Sequence, residues 1–179
     1  MIALTVLCII SLCYLFFLSE NLRNNGSKKI IYYATDVKKV GPAIIEYLTR
    51  DGKWHEKCSF VELGGGLAPV ARFVGARLFF SQLVAVEWAH SLIWAGKFKN
   101  VLSTPKITYV HGLLEKHDFS KPAVYYCYLS EEILSALYMQ GSFKGSLIFA
   151  LTFKIANLQP TEELILPTWQ SPLRVYDFR

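Results

Sequence analysis

Apolar and polar positions along this chain fall into an unbroken apolar opening followed by two alternating rhythms. Met1 to Ser19 (MIALTVLCIISLCYLFFLS) carries no charged side chain. A helix of about 18 residues rises roughly 27 Å, close to the hydrocarbon thickness of a bilayer. Only an internally hydrogen-bonded segment is tolerated at that depth, so a transmembrane helix over 1–19 is expected. Tyr14, Phe16 and Phe17 lie towards its end, where aromatic rings suit an interface. No basic residue precedes the run, and Ser19-Glu20-Asn21 is a poor cleavage signal, which argues for a retained anchor over a removed signal peptide. Arg23, Lys28 and Lys29 follow the run. The positive-inside rule then puts the rest of a single-pass protein on the cytoplasmic (or matrix-like) side. Residues 20–31 read as a polar linker around Asn24-Asn25-Gly26-Ser27, and 32–179 as one domain.

Downstream, helical and extended patterns alternate. Thr35-Asp36 can cap a helix over Val37 to Arg50, with Val37, Val40, Ile44, Ile45 and Leu48 on one side. Strands are expected at Cys58–Leu63, Leu83–Glu87, Lys106–Val110, Ala123–Leu129 and Ser146–Phe153. A final pair is expected at Leu164–Leu166 and Leu173–Phe178. Helices are expected from Pro69 towards Gly75, over Ala89–Phe98, and from Ser130-Glu131-Glu132 to Gly141. This alternation implies right-handed crossovers and an α/β fold with a mostly parallel sheet. The last two strands lack a helix between them, which implies an antiparallel edge strand.

Composition narrows the chemistry. Hydrophobic residues make up 53% of the chain, more than a soluble domain needs, and the apolar opening accounts for much of the excess. The net charge of +5 suits an anionic membrane surface or an acidic partner, but no dense basic stripe marks a nucleic-acid site. Cys8, Cys13, Cys58 and Cys127 show no zinc-ligand or redox spacing and read as small apolar residues. The four histidines are unclustered, so no metal site is expected.

The segment that carries chemistry is Phe60-Val61-Glu62-Leu63-Gly64-Gly65-Gly66-Leu67-Ala68-Pro69. A strand runs into three glycines and then a helix, at the carboxyl end of the first strand, where open α/β sheets bind ligands. Glu87 ends the next strand, 25 positions after Glu62, with Trp88 beside it. A carboxylate there can accept from both ribose hydroxyls of a nucleoside. A pyrophosphate site needs G-x-G-x-x-G, and Pro69 stands at the third position, removing a backbone donor. An acid before the glycines suits a cationic sulfonium nucleoside instead. The expected cofactor is S-adenosyl-L-methionine, with Glu62, Leu63, Gly64, Gly65, Gly66, Glu87 and Trp88 as its contacts.

The glycine segment and Val84-Ala85-Val86-Glu87 resemble motif I and its successor in class I methyltransferases. The implied fold is their Rossmann-like sheet, here preceded by one transmembrane helix. The whole layout is similar to short protein-lysine methyltransferases with one N-terminal membrane segment, which act on membrane proteins. The anchor, the strand Val124-Tyr125-Tyr126-Cys127-Tyr128-Leu129-Ser130 and the tail Leu166-Pro167-Thr168-Trp169-Gln170 carry that narrower likeness. The chain departs from D-x-G-x-G-x-G. Glu62 replaces Asp, Leu67 the loop acid and Ala68 the third glycine, and an alanine there requires a negative φ. His111-Gly112-Leu113 stands where the family has an acid near the adenine.

The resemblance implies methyl transfer to a lysine amine of a membrane-associated protein. In this fold the end of the fourth strand faces the acceptor, so Tyr126, Tyr128 and Ser130, with Glu131 and Glu132, are its candidate contacts. Tyrosine faces attract an ammonium. No N-P-P-Y or D-P-P-Y follows the fourth strand, which argues against nucleic acid as acceptor. Two rivals are a small-molecule or lipid methyltransferase and a non-catalytic membrane adaptor on a degenerate fold.

Overall fold

The computed structural model describes residues 35–167 and 171–179, together with Ser11. The expected membrane segment and linker, Ser11 apart, lie outside the described residues, as does Trp169. Among the described residues no helix is long and apolar enough to cross a membrane.

The elements in chain order are α1 (Val37–Arg50), β1 (Ser59–Leu63), α2 (Pro69–Gly75), β2 (Gln82–Glu87), α3 (His90–Leu102) and β3 (Thr108–His111). Then come β4 (Ala123–Cys127), α4 (Glu131–Met139), β5 (Leu147–Leu151), β6 (Glu162–Leu164) and β7 (Leu173–Asp177). The strands form one sheet in the order β3-β2-β1-β4-β5-β7-β6. Neighbours from β3 through β5 are parallel, and β7 is antiparallel to both β5 and β6. The antiparallel pairing is therefore at the edge, as expected from sequence, and takes in two strands, β7 and the short β6 outside it. The short β6 forms the rim because β7 has the apolar positions to be covered on both faces: Leu173, Val175 and Tyr176 are buried.

The central strands β4 and β5 are buried along their whole length, as a doubly covered parallel sheet requires. Phe60, Val124, Tyr126 and Phe149 form one core with Val40, Ile44 and Leu48 of α1 and Val70 and Val74 of α2. Val61, Tyr125, Cys127 and Ile148 form another with Leu134 and Leu137 of α4. Cys58 and Cys127 are both buried, as their apolar settings suggested.

Side chains set several boundaries differently from the pattern. β3 starts at Thr108 rather than Lys106, because the Asn100 side chain takes both backbone groups of Ile107: its Nδ2 donates to Ile107 O at 2.7 Å, and its Oδ1 accepts from Ile107 N at 3.0 Å. α3 runs four residues past Phe98 to Leu102. Val101 and Leu102 are exposed, so no burial rhythm announced them. β4 stops at Cys127 and β5 at Leu151. Asp36 sits at the N-cap of α1 without a side-chain cap bond; its carboxylate pairs instead with Lys39 at 3.3 Å. Ser130 caps α4 as expected, its Oγ accepting from Ile133 N at 3.4 Å, and Gly141 follows that helix with φ +73°.

Candidate functional site

The parallel register brings the carboxyl ends of β1, β2, β3 and β4 level. Leu63 lies opposite Val86 on one side and Cys127 on the other, and Glu87 lies opposite His111. The turn after Leu63 is built from left-handed residues at alternate positions: Gly64 (φ +66°), Gly66 (φ +50°) and Ala68 (φ +53°). A side chain would be strained at Gly64 and at Gly66, and a Cβ at Gly64 would also touch Leu129 at 3.4 Å. Gly65 instead secures close packing: its Cβ would meet the Ala85 Cβ at 2.9 Å. Its N–H donates to Val86 O at 3.1 Å, so the turn folds over β2.

Ala68 corrects the sequence expectation, which required a negative φ. It is fully buried, its N–H donates to Gly65 O at 2.6 Å, and it opens α2 from the left-handed region. That conformation costs an alanine about 1–2 kcal/mol, which the buried contacts of the turn and of Pro69 as first residue of α2 must offset.

The two acids take different parts. Glu87 is 3% exposed, and its Oε2 accepts from Gly66 N at 2.9 Å. Its Oε1 accepts from Trp88 N and Ala89 N, each at 2.9 Å. The carboxylate therefore organises both the glycine turn and the start of α3. Glu62 is 4% exposed and faces the N-terminus of α2, where its Oε2 accepts from Ala71 N at 2.7 Å. Its buried carboxyl group holds the start of α2 against the end of β1. Burial pushes its pKa up to about 8, against the backbone amides of Ala71 and Val70 and the Arg72 charge, which pull it down.

Arg72 is the organising residue that sequence reasoning missed. It is 7% exposed on α2, and its guanidinium donates to Leu67 O at 3.3 Å, Gly96 O at 3.1 Å, Pro105 O at 3.1 Å and Asn100 Oδ1 at 2.9 Å. One side chain thus joins the glycine turn, α3 and the loop before β3. The only signal was a basic residue inside the apolar run Val70-Ala71-Arg72-Phe73-Val74.

Beside Glu87 the His90 and His111 rings stack at 3.8 Å, with His111 Nε2 3.1 Å from Trp88 O. Gly112 N donates to Glu87 O at 3.1 Å, and a Cβ at Gly112 would meet open space. Asp118 is exposed and accepts from Ser120 N at 2.9 Å in the approach to β4.

The candidate acceptor residues separate. Tyr126 is 2% exposed, packs in the core and shares a hydroxyl hydrogen bond of 3.0 Å with Thr35. Its side chain is part of the core that includes Phe60, Val124 and Phe149. Tyr128 is half-buried beyond the end of β4, its ring 5.9 Å from that of Phe153. Ser130 lies beyond it, capping α4. Thr152, between β5 and Phe153, has φ +68°, and Phe153 N donates to Leu151 O at 2.8 Å across it. This is a γ-turn centred on a β-branched residue, a strained arrangement at the same end of the sheet as the glycine turn. Open cavities of about 350 and 340 Å³ lie at the other end, before β2 and before β5.

No family model matches the chain, and no curated protein matches it. Solved structures do. An RNA methyltransferase from Salinibacter ruber, in complex with S-adenosyl-L-homocysteine, aligns over 75% of this chain and 90% of its own with 16% identity and a TM-score of 0.62. A ribosomal protein L11 methylase from Lactobacillus delbrueckii subsp. bulgaricus aligns over 82% and 81% with 14% identity and a TM-score of 0.59. An S-adenosylmethionine-dependent methyltransferase from Clostridium acetobutylicum aligns over 74% of this chain and 57% of its own, with 14% identity and a TM-score of 0.54. The chain has the Rossmann-like fold shared by these three methyltransferases.

Proposed function

We propose that this chain is an S-adenosylmethionine-dependent methyltransferase that methylates a lysine amine of a membrane-associated protein, with residues 1–19 as its anchor. The observation that carries the cofactor half is the glycine turn bonded to a buried carboxylate at the adjoining ends of β1 and β2. The residues fit such a nucleoside. Gly64 and its neighbours offer backbone without Cβ obstruction, Trp88 N bonds to the carboxylate, and Gly112 N bonds to the Glu87 backbone carbonyl. Glu87 already accepts three amides. A carboxylate has about four acceptor sites, so ribose hydroxyls would share or displace the Gly66 amide.

S-adenosylmethionine supplies an activated methyl group on a sulfonium. The chain's task is to orient the acceptor in line with it and to exclude water. Tyr128 and Phe153 lie beyond the ends of β4 and β5 and provide aromatic surface for an amine. The attacking amine must give up its proton to solvent before it enters the site and reacts as the free base.

The rival reading as a non-catalytic adaptor draws on one observation. The Gly66–Glu87 bond and left-handed Ala68 give a turn that is complete without ligand. Calorimetry with S-adenosylmethionine separates the two: no heat at millimolar cofactor sinks the enzyme reading. Radiolabelled methyl transfer into membrane fractions, resolved into protein and lipid, then tests the acceptor. Label in lipid alone would replace the lysine assignment. Gly64→Arg, at φ +66°, should abolish labelling.

A further inference from the structure

Trp94, Phe98, Val101 and Leu102 are 70%, 64%, 75% and 73% exposed. Their spacing of four, three and one places them on one side of α3, the side turned away from β2 and β3, since Ile93 and Gly96 are the buried positions. A contiguous apolar stripe of this kind on a folded domain marks a surface that is covered in use.

Its charge setting says by what. Between Leu78 and Gly112 the basic residues are Lys97, Lys99 and Lys106, and the sole acid is Glu87, which is buried. Lys97 Nζ lies 5.9 Å from the Trp94 ring centroid. Lys106 bonds to Asn100 O near the end of α3 and also lines the cavity that holds Phe79, which is 71% exposed. Aromatic and aliphatic side chains in a segment whose exposed charges are lysines have the composition of a helix lying in an anionic bilayer interface. A second copy of the same stripe would bring lysine against lysine across the contact.

We infer that the outer face of α3, with Phe79 beside its C-terminal end, docks on an anionic lipid surface. This rests on the membrane location proposed above, but not on the cofactor or the reaction. Docking adds a second contact to the anchor and fixes which way the open end of the sheet faces.

The test uses the full chain in vesicles of phosphatidylcholine, with or without phosphatidylglycerol, carrying brominated acyl chains. Co-sedimentation reports membrane association, and the fluorescence difference between wild type and Trp94→Phe reports position 94 alone. The expected result is bromine quenching of the Trp94 component in anionic vesicles, lost in neutral ones and in high salt. In Lys97→Glu/Lys99→Glu/Lys106→Glu the quenching should be lost while the protein still sediments. Sedimentation without Trp94 quenching overturns the inference and leaves the anchor standing. Shielding of Trp94 from soluble acrylamide before lipid is added overturns it in favour of a second copy or of residues 1–19. Failure to sediment with either vesicle overturns both membrane readings.

Discussion

The Gly66 amide donates to Glu87 Oε2 at 2.9 Å, tying the glycine turn to the end of the neighbouring strand. The acid at the end of β2 is thus a part of the turn before any ligand arrives. Its other oxygen holds Trp88 N and Ala89 N, so the same carboxylate sets where α3 begins.

Glu87→Gln replaces one acceptor oxygen by a donor and leaves at least one of those amides facing it. A buried donor without a partner costs about 1–3 kcal/mol, or roughly 3–10 °C in melting temperature for a domain of this size. Under the proposed function, affinity for S-adenosylmethionine should fall more than about tenfold as a ribose acceptor is lost. Calorimetric scanning and titration read the two effects separately. An unmoved melting temperature would contradict the hydrogen bonds, and unmoved affinity the ribose role.

Glu62 predicts a pH dependence. Its folded pKa of about 8 lies above the ordinary 4.5. Between those values the folded chain holds a proton that the unfolded chain has released. Stability from this group is therefore full below pH 4.5, falls as pH rises towards 8, and is level above. Glu62→Gln keeps the neutral shape and lacks the slope. Urea denaturation of both proteins at pH 5, 6.5 and 8 should show the variant gaining on the wild type as pH rises. Parallel pH curves would mean that Glu62 is ionised in the fold.

Sequence carried the fold further than it carried the site. The strand–helix alternation and the apolar runs of β1, β4 and β5 were legible because burial on both faces leaves a continuous pattern. The position of β7 inside β6 was not, because two short strands in succession say only that they pair. Glu62 and Glu87 were found by place, but which backbone amides each holds depends on side-chain direction, which spacing does not encode. Tyr126 and Tyr128 share a motif and a face of the strand by period. Only the end of β4 at Cys127 separates the core residue from the one beyond the sheet. Arg72 was not legible, since its partners come from Leu67, Gly96, Asn100 and Pro105, most of them distant in sequence.

Arg72→Met should be severe. It preserves length and apolar stem but leaves the carbonyls of Leu67, Gly96 and Pro105 and the amide oxygen of Asn100 without this donor. Each buried acceptor left without a partner costs about 1–3 kcal/mol, so a loss of about 3 kcal/mol or more is expected in urea denaturation. Arg72→Lys keeps the charge without the planar fork and should recover only part of it. A lysine variant as stable as the wild type would show that charge rather than geometry matters here.

Ala68 decides whether the turn has the shape described. Alanine at φ +53° carries about 1–2 kcal/mol of strain. Glycine would remove that strain, losing a buried methyl worth about 0.8 kcal/mol and about 0.5–1 kcal/mol of chain entropy. Ala68→Gly should therefore leave stability within about 1 kcal/mol of the wild type, the opposing terms being of similar size. Ala68→Val faces both obstacles together. A β-branched residue is a genuine outlier in the left-handed region, and two further methyl groups would have to fit at a fully buried site. A loss of about 3 kcal/mol or more is expected, since overpacking alone costs roughly 1–3 kcal/mol. The comparison is diagnostic because a negative φ would leave glycine at a loss of about 1–2 kcal/mol, with valine only a packing problem. Denaturation of the pair therefore measures the backbone of the turn directly, independent of any ligand.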